Sequence, residues 1–221
     1  ALAENLDAPA ARVLDAGGQW VYPGGVDVHC HMPWPSKQVL SGDDLLSGTR
    51  AALCGGVTTV LDFIIPELGE SLVDAVERKL AEARQGLYAD YGAHICIREA
   101  SDANLAQIAA LTARGFVSYK IFMAYEGFRL ADADMLRVMD VVQAAGGIVD
   151  GRCLIRPYVQ AFRIGGETSF SAAASSTYLM SQVQGTLESG ASGFTLWNAS
   201  NDYYMVTVPL GPVIASAAAG R

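Results

Sequence analysis

The sequence predicts an α/β protein of the (β/α)8 TIM-barrel type, small for that class. From residue 25 onward, short runs rich in β-branched residues alternate with longer amphipathic stretches, at a period of about thirty residues. Glycines follow the amphipathic stretches, where helix C-caps belong. An open doubly wound sheet usually carries a glycine-rich phosphate loop after its first strand, whereas this chain has two histidines there. A closed barrel of parallel strands is therefore the favoured architecture.

The individual elements follow from this alternation. Strands are predicted over residues 26–30, 57–63, 91–97, 117–123, 147–150, 155–162 and 191–198. Helices are predicted over residues 43–53, 71–85, 102–114, 132–145 and 177–188. The stretch 165–176 is rich in Gly, Ser and Ala and is interpreted as a loop. Ser71 is a candidate N-cap for the second helix.

The first 24 residues lie outside this alternation. Two short strands are predicted at residues 11–15 and 20–23, around a turn at Gly17 and Gly18. A two-stranded ribbon is marginal on its own, so it would need a larger sheet to pack against.

Length and composition fit one sizeable domain with a well-buried core. The chain has 221 residues, of which 51% are apolar and 17% charged. A net charge of -8 argues against a nucleic acid or an anionic membrane surface as a partner. No apolar run reaches the length of a membrane span, and residues 1–5 show no secretory leader. The four cysteines, Cys30, Cys54, Cys96 and Cys153, are interpreted as buried thiols of a cytoplasmic protein.

The segment from Gly25 to His31 ends a predicted strand in two histidines one residue apart. Side chains at i and i+2 of a strand point to the same face, so His29 and His31 project together. Imidazole is the commonest neutral metal ligand, and only three histidines occur in the chain. We interpret the pair as metal ligands. The alternative is two hydrogen-bonded histidines near the barrel mouth.

Lys120 is the unusual residue among those at the predicted strand ends. It lies in an apolar strand, where an unpaired ammonium is costly to bury and burial lowers the pKa of the amine. A neutral amine can form a Schiff base, or react with carbon dioxide to give a carbamate that bridges two metals. The alternative is a lysine paired with a carboxylate. Tyr125 is a candidate hydrogen-bond donor to a developing oxyanion; the alternative is a loop tyrosine that covers the barrel rim. His94 is interpreted as structural.

Four segments of the chain, in order, resemble the dihydropyrimidinases and D-hydantoinases of the amidohydrolase superfamily. The segments are residues 4–9, 22–31, 55–63 and 119–125. The resemblance covers residues 5–150. It implies metal-dependent hydrolysis of a cyclic amide, in which a metal-bridging hydroxide opens a dihydropyrimidine or hydantoin ring.

The resemblance also assigns roles to the candidate residues. It implies that His29 and His31 bind the more buried of two zinc ions, that a carboxylated Lys120 bridges the pair, and that Tyr125 is catalytic and holds the substrate carbonyl. The chain departs from the family because no histidine follows His94. A second site would lack its imidazoles, so we expect one zinc ion at most and impaired activity.

The last third of the chain has a different resemblance. Residues 156–162 and 190–201 are similar to the closing strands of a glycoside-hydrolase barrel family. In such barrels an aromatic residue at the last strand often stacks on sugar, so Trp197 is a candidate substrate-binding residue, with plain packing as the favoured alternative. We therefore predict three parts: residues 1–24, a remnant of a β-sandwich; residues 25–150, a hydantoinase-like portion of a barrel; and residues 151–221, a barrel-closing segment of different origin.

Three functions remain open from the sequence. The first is the cyclic-amide hydrolase, with a small cyclic amide as its partner. The second is a catalytically inactive barrel scaffold made by recombination or design. The third and weakest is a carbohydrate-acting barrel. A homo-oligomer is compatible with each of them.

Overall fold

The computed structural model describes residue 9 and residues 12–33, 42–146, 154–161, 172–198 and 210–211. The chain divides into two compact units, Ala1–Val141 and Val142–Arg221. The predicted strand at 147–150 and Cys153 lie outside the described residues. The predicted boundary at residue 150 and the separate origin of the last segment stay predictions.

The first unit is built on a four-stranded parallel sheet whose strands follow chain order. The strands are β1 (Gly25–Cys30), β2 (Val57–Ile64), β3 (Asp90–Cys96) and β4 (Tyr119–Lys120). Each neighbouring pair is parallel. The α/β prediction is confirmed, and this sheet is half of the predicted barrel. Because the strands are parallel, their carboxyl ends meet at one edge.

The fourth strand is much shorter than the predicted span of 117–123. Only Tyr119 and Lys120 pair with β3. Phe122 instead forms an isolated bridge with Arg129, and its carbonyl accepts a hydrogen bond from Leu130 N at 3.1 Å. The strand therefore ends at Lys120, and the residues that follow form a loop closed by these contacts between Phe122 and residues 129–130.

Five helices lie within the described residues 42–146. They are α1 (Leu45–Cys54), α2 (Leu72–Ala83), α3 (Asp102–Leu105), α4 (Ile108–Ala113) and α5 (Asp132–Ala144). Ser71 caps α2, as predicted, since its hydroxyl accepts a hydrogen bond from Asp74 N at 3.1 Å. The single helix predicted over 102–114 is wrong in one respect, because a turn at residues 106–107 divides it.

The core of the first unit joins the sheet to its helices. Its fully buried large side chains come mainly from β2, β3, α2 and α4, and include Val60, Ile64, Leu72, Val76, Ile95, Ile108 and Leu111. Strands of parallel sheets are apolar on both faces because helices cover them. In β1, however, Val26 and Val28 are 57% and 46% exposed. This strand lies at the edge of the sheet.

The segment before β1 does not form the predicted ribbon. The turn at Gly17 and Gly18 is present, with φ of 58° and 80°. No strand is assigned to the described residues from 12 to 24, where Val13 and Trp20 are 82% and 86% exposed. The ribbon prediction is wrong here, since an isolated ribbon lacks the buried face that would stabilise it. The β-sandwich origin of the segment stays a prediction.

The second unit contains β5 (Tyr158–Gln160), α6 (Ala172–Glu188) and β6 (Thr195–Trp197), and its two strands are parallel. Helix α6 begins five residues before the predicted start at 177. Part of the predicted loop is thus helical, because its alanines favour helix. The buried cluster consists of Val159, Ala161, Leu179, Val183 and Leu210.

The described cysteines are free thiols. Cys96 is buried, as predicted, whereas Cys30 is only half-buried. The prediction is wrong for Cys54, which is exposed because it lies on the side of α1 opposite the buried Leu45. Within the described part of the chain, no helix combines the length and apolarity that spanning a bilayer requires. The cytoplasmic location stays a prediction.

Candidate metal centre

Strand β1 brings two imidazoles together at the carboxyl edge of the sheet. His29 is the penultimate residue of β1 and His31 follows the strand directly. Their ring centroids are 5.5 Å apart, with an angle of 67° between the ring planes. Two imidazoles that share one zinc ion, with Zn–N bonds of about 2.0–2.1 Å, have ring centroids within about 6 Å of each other. The spacing is therefore compatible with a shared metal ion.

Phe63 in β2 is the common neighbour of the candidate ligands. Its ring centroid lies 4.5 Å from that of His29 and 4.7 Å from that of His31. The Lys120 Nζ lies 5.9 Å from the same centroid. Phe63 stacks on the face of His31 at an interplanar angle of 20°. The three nitrogen-bearing side chains thus converge around one buried aromatic ring.

Burial sets the protonation of these groups. Burial, with smaller contributions from the neighbouring His31 and Lys120, lowers the pKa of His29 to about 4. Burial and the nearby Lys120 likewise lower the pKa of His31 to about 4. Both imidazoles are consequently neutral at pH 7, which is the form that binds a metal. Burial also lowers the pKa of Lys120, in favour of the neutral amine.

His94 has a different role in the same region. Its Nε2 donates to the Val28 carbonyl at 3.0 Å, and its Nδ1 then accepts from the Ser118 hydroxyl at 2.6 Å. Both ring nitrogens are engaged, which supports the structural interpretation. Among the described residues, no three His, Cys, Asp or Glu side chains form a group that could hold a metal. Among the described residues, Lys120 is the candidate ligand that lies on the same Phe63 ring as the two imidazoles.

Tyr125 lies in the loop after β4 and is 55% exposed. Its φ of 71° is in the left-handed region, which a bulky residue rarely adopts. Its carbonyl accepts hydrogen bonds from Phe128 N and Arg129 N, each at 3.0 Å. The Tyr125 ring lies 6.3 Å from that of Phe122, whose own ring centroid is 5.1 Å from Lys120 Nζ. The loop thus carries Tyr125 next to the Lys120 side of the site.

Arg98, two residues after β3, contacts this loop. Its guanidinium donates to the carbonyls of Pro66 and Gly127, each at 3.0 Å. It also lies 4.2 Å above the centroid of the Phe128 ring. The residue therefore links the loop that follows β2 to the loop that contains Tyr125.

A buried ion pair lies behind the candidate ligands. Lys79 Nζ and Asp62 Oδ2 are 2.9 Å apart, and their side chains are 7% and 1% exposed. Asp62 Oδ1 accepts hydrogen bonds from Met32 N at 3.2 Å and from Phe63 N at 2.8 Å. Lys79 also donates to the Met32 carbonyl. Met32 directly follows His31, so the pair contacts the backbone next to a candidate ligand.

Sequence reasoning missed several of these residues. Lys79 left a signal, because it lies on the buried face of α2 with Leu72, Ala75 and Val76. A charged residue in that register needs a buried partner. Phe63 left no signal that distinguishes it from a core phenylalanine. Trp197 lies in the second unit, and its carbonyl accepts from Ala161 N at 2.9 Å; its sugar-binding role stays a prediction.

Comparison with known proteins gives two family matches. The model described as "Amidohydrolase family" matches residues 20–159, and one described as "Putative glycosyl hydrolase domain" matches residues 117–203. The D-hydantoinase of Rhizobium radiobacter is 38% identical over 142 residues, which are 64% of this chain and 31% of that protein. The dihydropyrimidinase of Rattus norvegicus is 37% identical over 139 residues, which are 62% of this chain and 27% of that protein.

A solved structure shares the fold. The crystal structure of D-hydantoinase from Bacillus sp. AR9 matches with a TM-score of 0.68 and 25% identity, over 96% of this chain and 48% of that chain. This likeness implies a TIM-barrel-type α/β fold. The chain spans 31% of the length of the first relative, less than a third. Because the family model covers residues 20–159, more than half of the sequence, the chain belongs to the amidohydrolase family, as its resemblance to the hydantoinases predicted.

Proposed function

We propose that this chain carries a single-zinc form of a cyclic-amide hydrolase site, with a dihydropyrimidine or a hydantoin as substrate. The observation that carries the proposal is the convergence of His29, His31 and Lys120 around Phe63. The relatives named D-hydantoinase and dihydropyrimidinase support the choice of substrate class.

The proposed ligand set is two neutral imidazoles and a modified lysine. The lowered pKa of Lys120 favours a neutral amine, whose nitrogen can attack carbon dioxide. An N–C bond forms and one proton leaves, so the ammonium site becomes an anionic carbamate. This anion would offset the positive charge of a bound cation in the half-buried site. A bound zinc ion would supply Lewis-acid polarisation of the amide carbonyl and lower the pKa of a bound water.

Tyr125 is proposed to hold the substrate. Its hydroxyl is a hydrogen-bond donor, and 55% exposure makes it accessible to a small molecule. Phe63 and Phe122 would exclude water from one side of the amine and strengthen electrostatic interactions there.

The proposed activity is weak. The printed sequence has no histidine after His94, so imidazoles for a second metal are not supplied by these residues. A site with three protein ligands binds one metal with open coordination positions.

A second candidate is a catalytically inactive composite barrel. It is favoured by the two different family models that match overlapping parts of the chain, residues 20–159 and 117–203. This candidate predicts a stable, metal-free protein without turnover.

The test combines metal content with turnover. Purified chain is incubated with zinc and bicarbonate, and bound zinc is measured by mass spectrometry beside ring opening of dihydrouracil and hydantoin. We expect near-stoichiometric zinc that is lost in His29→Ala and in His31→Ala, with His94→Gln as the matched histidine control that retains it. Absence of zinc from the unsubstituted chain, or equal zinc in all variants, would refute the proposal.

A further inference from the structure

The buried ion pair behind the candidate ligands binds both backbone polar groups of one residue, Met32. Asp62 Oδ1 accepts from Met32 N at 3.2 Å, and Lys79 donates to the Met32 carbonyl. Asp62 and Lys79 are themselves joined at 2.9 Å. Both polar groups of the Met32 backbone are therefore bound to one pair of charged side chains. These contacts connect residues that are far apart in sequence, in β2 and α2.

The Met32 side chain is held as firmly as its backbone. It is 9% exposed and forms a buried cluster with Leu45 and Val60. A Cβ at Gly48 in α1 would lie 2.5 Å from the Met32 sulfur, so this side chain fills the space that the glycine leaves. Backbone and side chain together fix the position of the residue that follows His31.

A contribution to stability does not by itself account for the pair. Replacing a buried ion pair by apolar side chains of similar volume is often neutral or stabilising, so such a pair is weak support for a stabilising role. What apolar side chains cannot replace is the directional hydrogen bonding to the N–H and the carbonyl of Met32. The Met32 N–H belongs to the peptide group that joins His31 to Met32, so this hydrogen bonding constrains the path of the chain through His31.

We propose that Asp62 and Lys79 are positioning residues for the metal ligand His31. The pair holds the Met32 backbone and so orients the His31 ring toward His29 and Lys120. The inference rests on the proposed metal site. It goes beyond that site because it assigns to two residues in β2 and α2 the task of orienting a ligand through the backbone of Met32.

The experiment uses two double variants of the full chain. Asp62→Leu/Lys79→Met removes both charges and the hydrogen bonds that the pair forms with Met32 N and with the Met32 carbonyl. Asp62→Asn/Lys79→Met also removes the charges, but its amide oxygen still accepts from Met32 N and Phe63 N. Arg78→Met is the matched control, since Arg78 is the neighbour of Lys79 on α2 and forms an ion pair with Glu70 at the surface.

Each protein is titrated with cobalt(II), whose visible spectrum reports ligand geometry, and its unfolding midpoint is measured in urea. We expect the Leu/Met variant to bind cobalt about 10–100-fold more weakly, the range that outer-shell substitutions typically cause. The Asn/Met variant should lose less, and Arg78→Met should match the unsubstituted chain. Unchanged affinity and spectrum in a folded Leu/Met variant would overturn the proposal. If that variant does not fold, the Asn/Met variant is compared with Asp62→Asn/Lys79→Arg instead. Equal cobalt affinity of these two proteins would overturn the proposal as well.

A second readout separates this inference from the proposed function. The chain has three histidines, so their ring signals in a carbon-13 NMR spectrum can be assigned with one variant each. If the unsubstituted chain binds no cobalt, the proposed metal site is refuted. The His31 ring signals of the metal-free proteins then decide the positioning role. The positioning role is supported if the His31 ring signals shift more in the Leu/Met variant than in Arg78→Met. It is overturned if the His31 ring signals of the two variants are the same.

Discussion

The substitution Lys79→Met should destabilise the chain strongly, and by an amount that depends on pH. It leaves the Asp62 carboxylate, 1% exposed, without its cation at 2.9 Å. At that distance and an effective dielectric constant near 20, the lost attraction is about 6 kcal/mol. Removing one partner of a buried pair typically costs about 3–5 kcal/mol. Two backbone N–H groups still solvate Asp62, so we expect about 3 kcal/mol at pH 7.

The pH dependence of this loss follows from the pKa of Asp62. Burial raises that pKa above its ordinary value in the folded protein, and Lys79 opposes the rise. Without Lys79 the folded pKa is higher still, whereas the unfolded pKa is unchanged. The folded variant therefore binds a proton that the unfolded chain releases, and its stability decreases as pH rises through the folded pKa. The difference in the free energy of unfolding between Lys79→Met and the unsubstituted chain should be small in acid and largest near neutrality.

Urea unfolding followed by circular dichroism between pH 4 and pH 8 measures this gap. For a chain of this size a loss of about 3 kcal/mol also lowers the melting temperature by roughly 6–12 °C. The matched comparison is Asp62→Leu/Lys79→Met, which has no buried charge and should recover most of the stability. A Lys79→Met variant as stable as the unsubstituted chain at pH 7, or a gap that does not change with pH, would refute the reasoning.

Three further predictions concern the site and its supports. Tyr125→Gly should raise the free energy of unfolding by about 1 kcal/mol in urea, because glycine adopts the left-handed φ of 71° without strain, while turnover is lost. Gly48→Ala should destabilise by about 1–3 kcal/mol, because its Cβ would overlap a buried methionine; Gly185→Ala, with open space around it, is the control and should not destabilise. The metal-free chain should lose stability as pH falls from 6.5 toward 4. The reason is that His29 and His31 have lower pKa values in the folded chain than in the unfolded chain, so protonation favours unfolding. The double variant His29→Gln/His31→Gln should show a weaker dependence of the free energy of unfolding on pH in urea titrations.

Patterns among neighbouring residues were enough to predict the histidine pair of the site and the start of α2. The period of two residues in a strand predicted that His29 and His31 face the same way, and their ring centroids are 5.5 Å apart. The hydroxyl of Ser71 predicted the start of α2 because an N-cap acts within one turn. Both inferences depend only on residues that are neighbours in the chain.

Other features depended on contacts between distant segments. The sequence indicated that Lys120 is unusual but left open whether a carboxylate pairs with it; packing brings it beside Phe63, a residue of β2. The predicted strand around Lys120 was too long because hydrogen bonds within the next loop compete with the sheet. The ribbon at residues 11–23 was predicted from alternation alone, without the buried face that a ribbon needs.

The sequence by itself determined the parallel α/β alternation, the paired imidazoles and the family, because periodicity and short motifs are properties of neighbouring residues. Only the tertiary structure decided what surrounds those imidazoles. Asp62 lies in β2, Lys79 in α2 and Met32 in the segment after β1, and a lysine on the buried face of a helix does not indicate which carboxylate it pairs with. Which charges meet in a core is decided by how β2 and α2 pack, and that packing is the sum of many contacts distant in the chain.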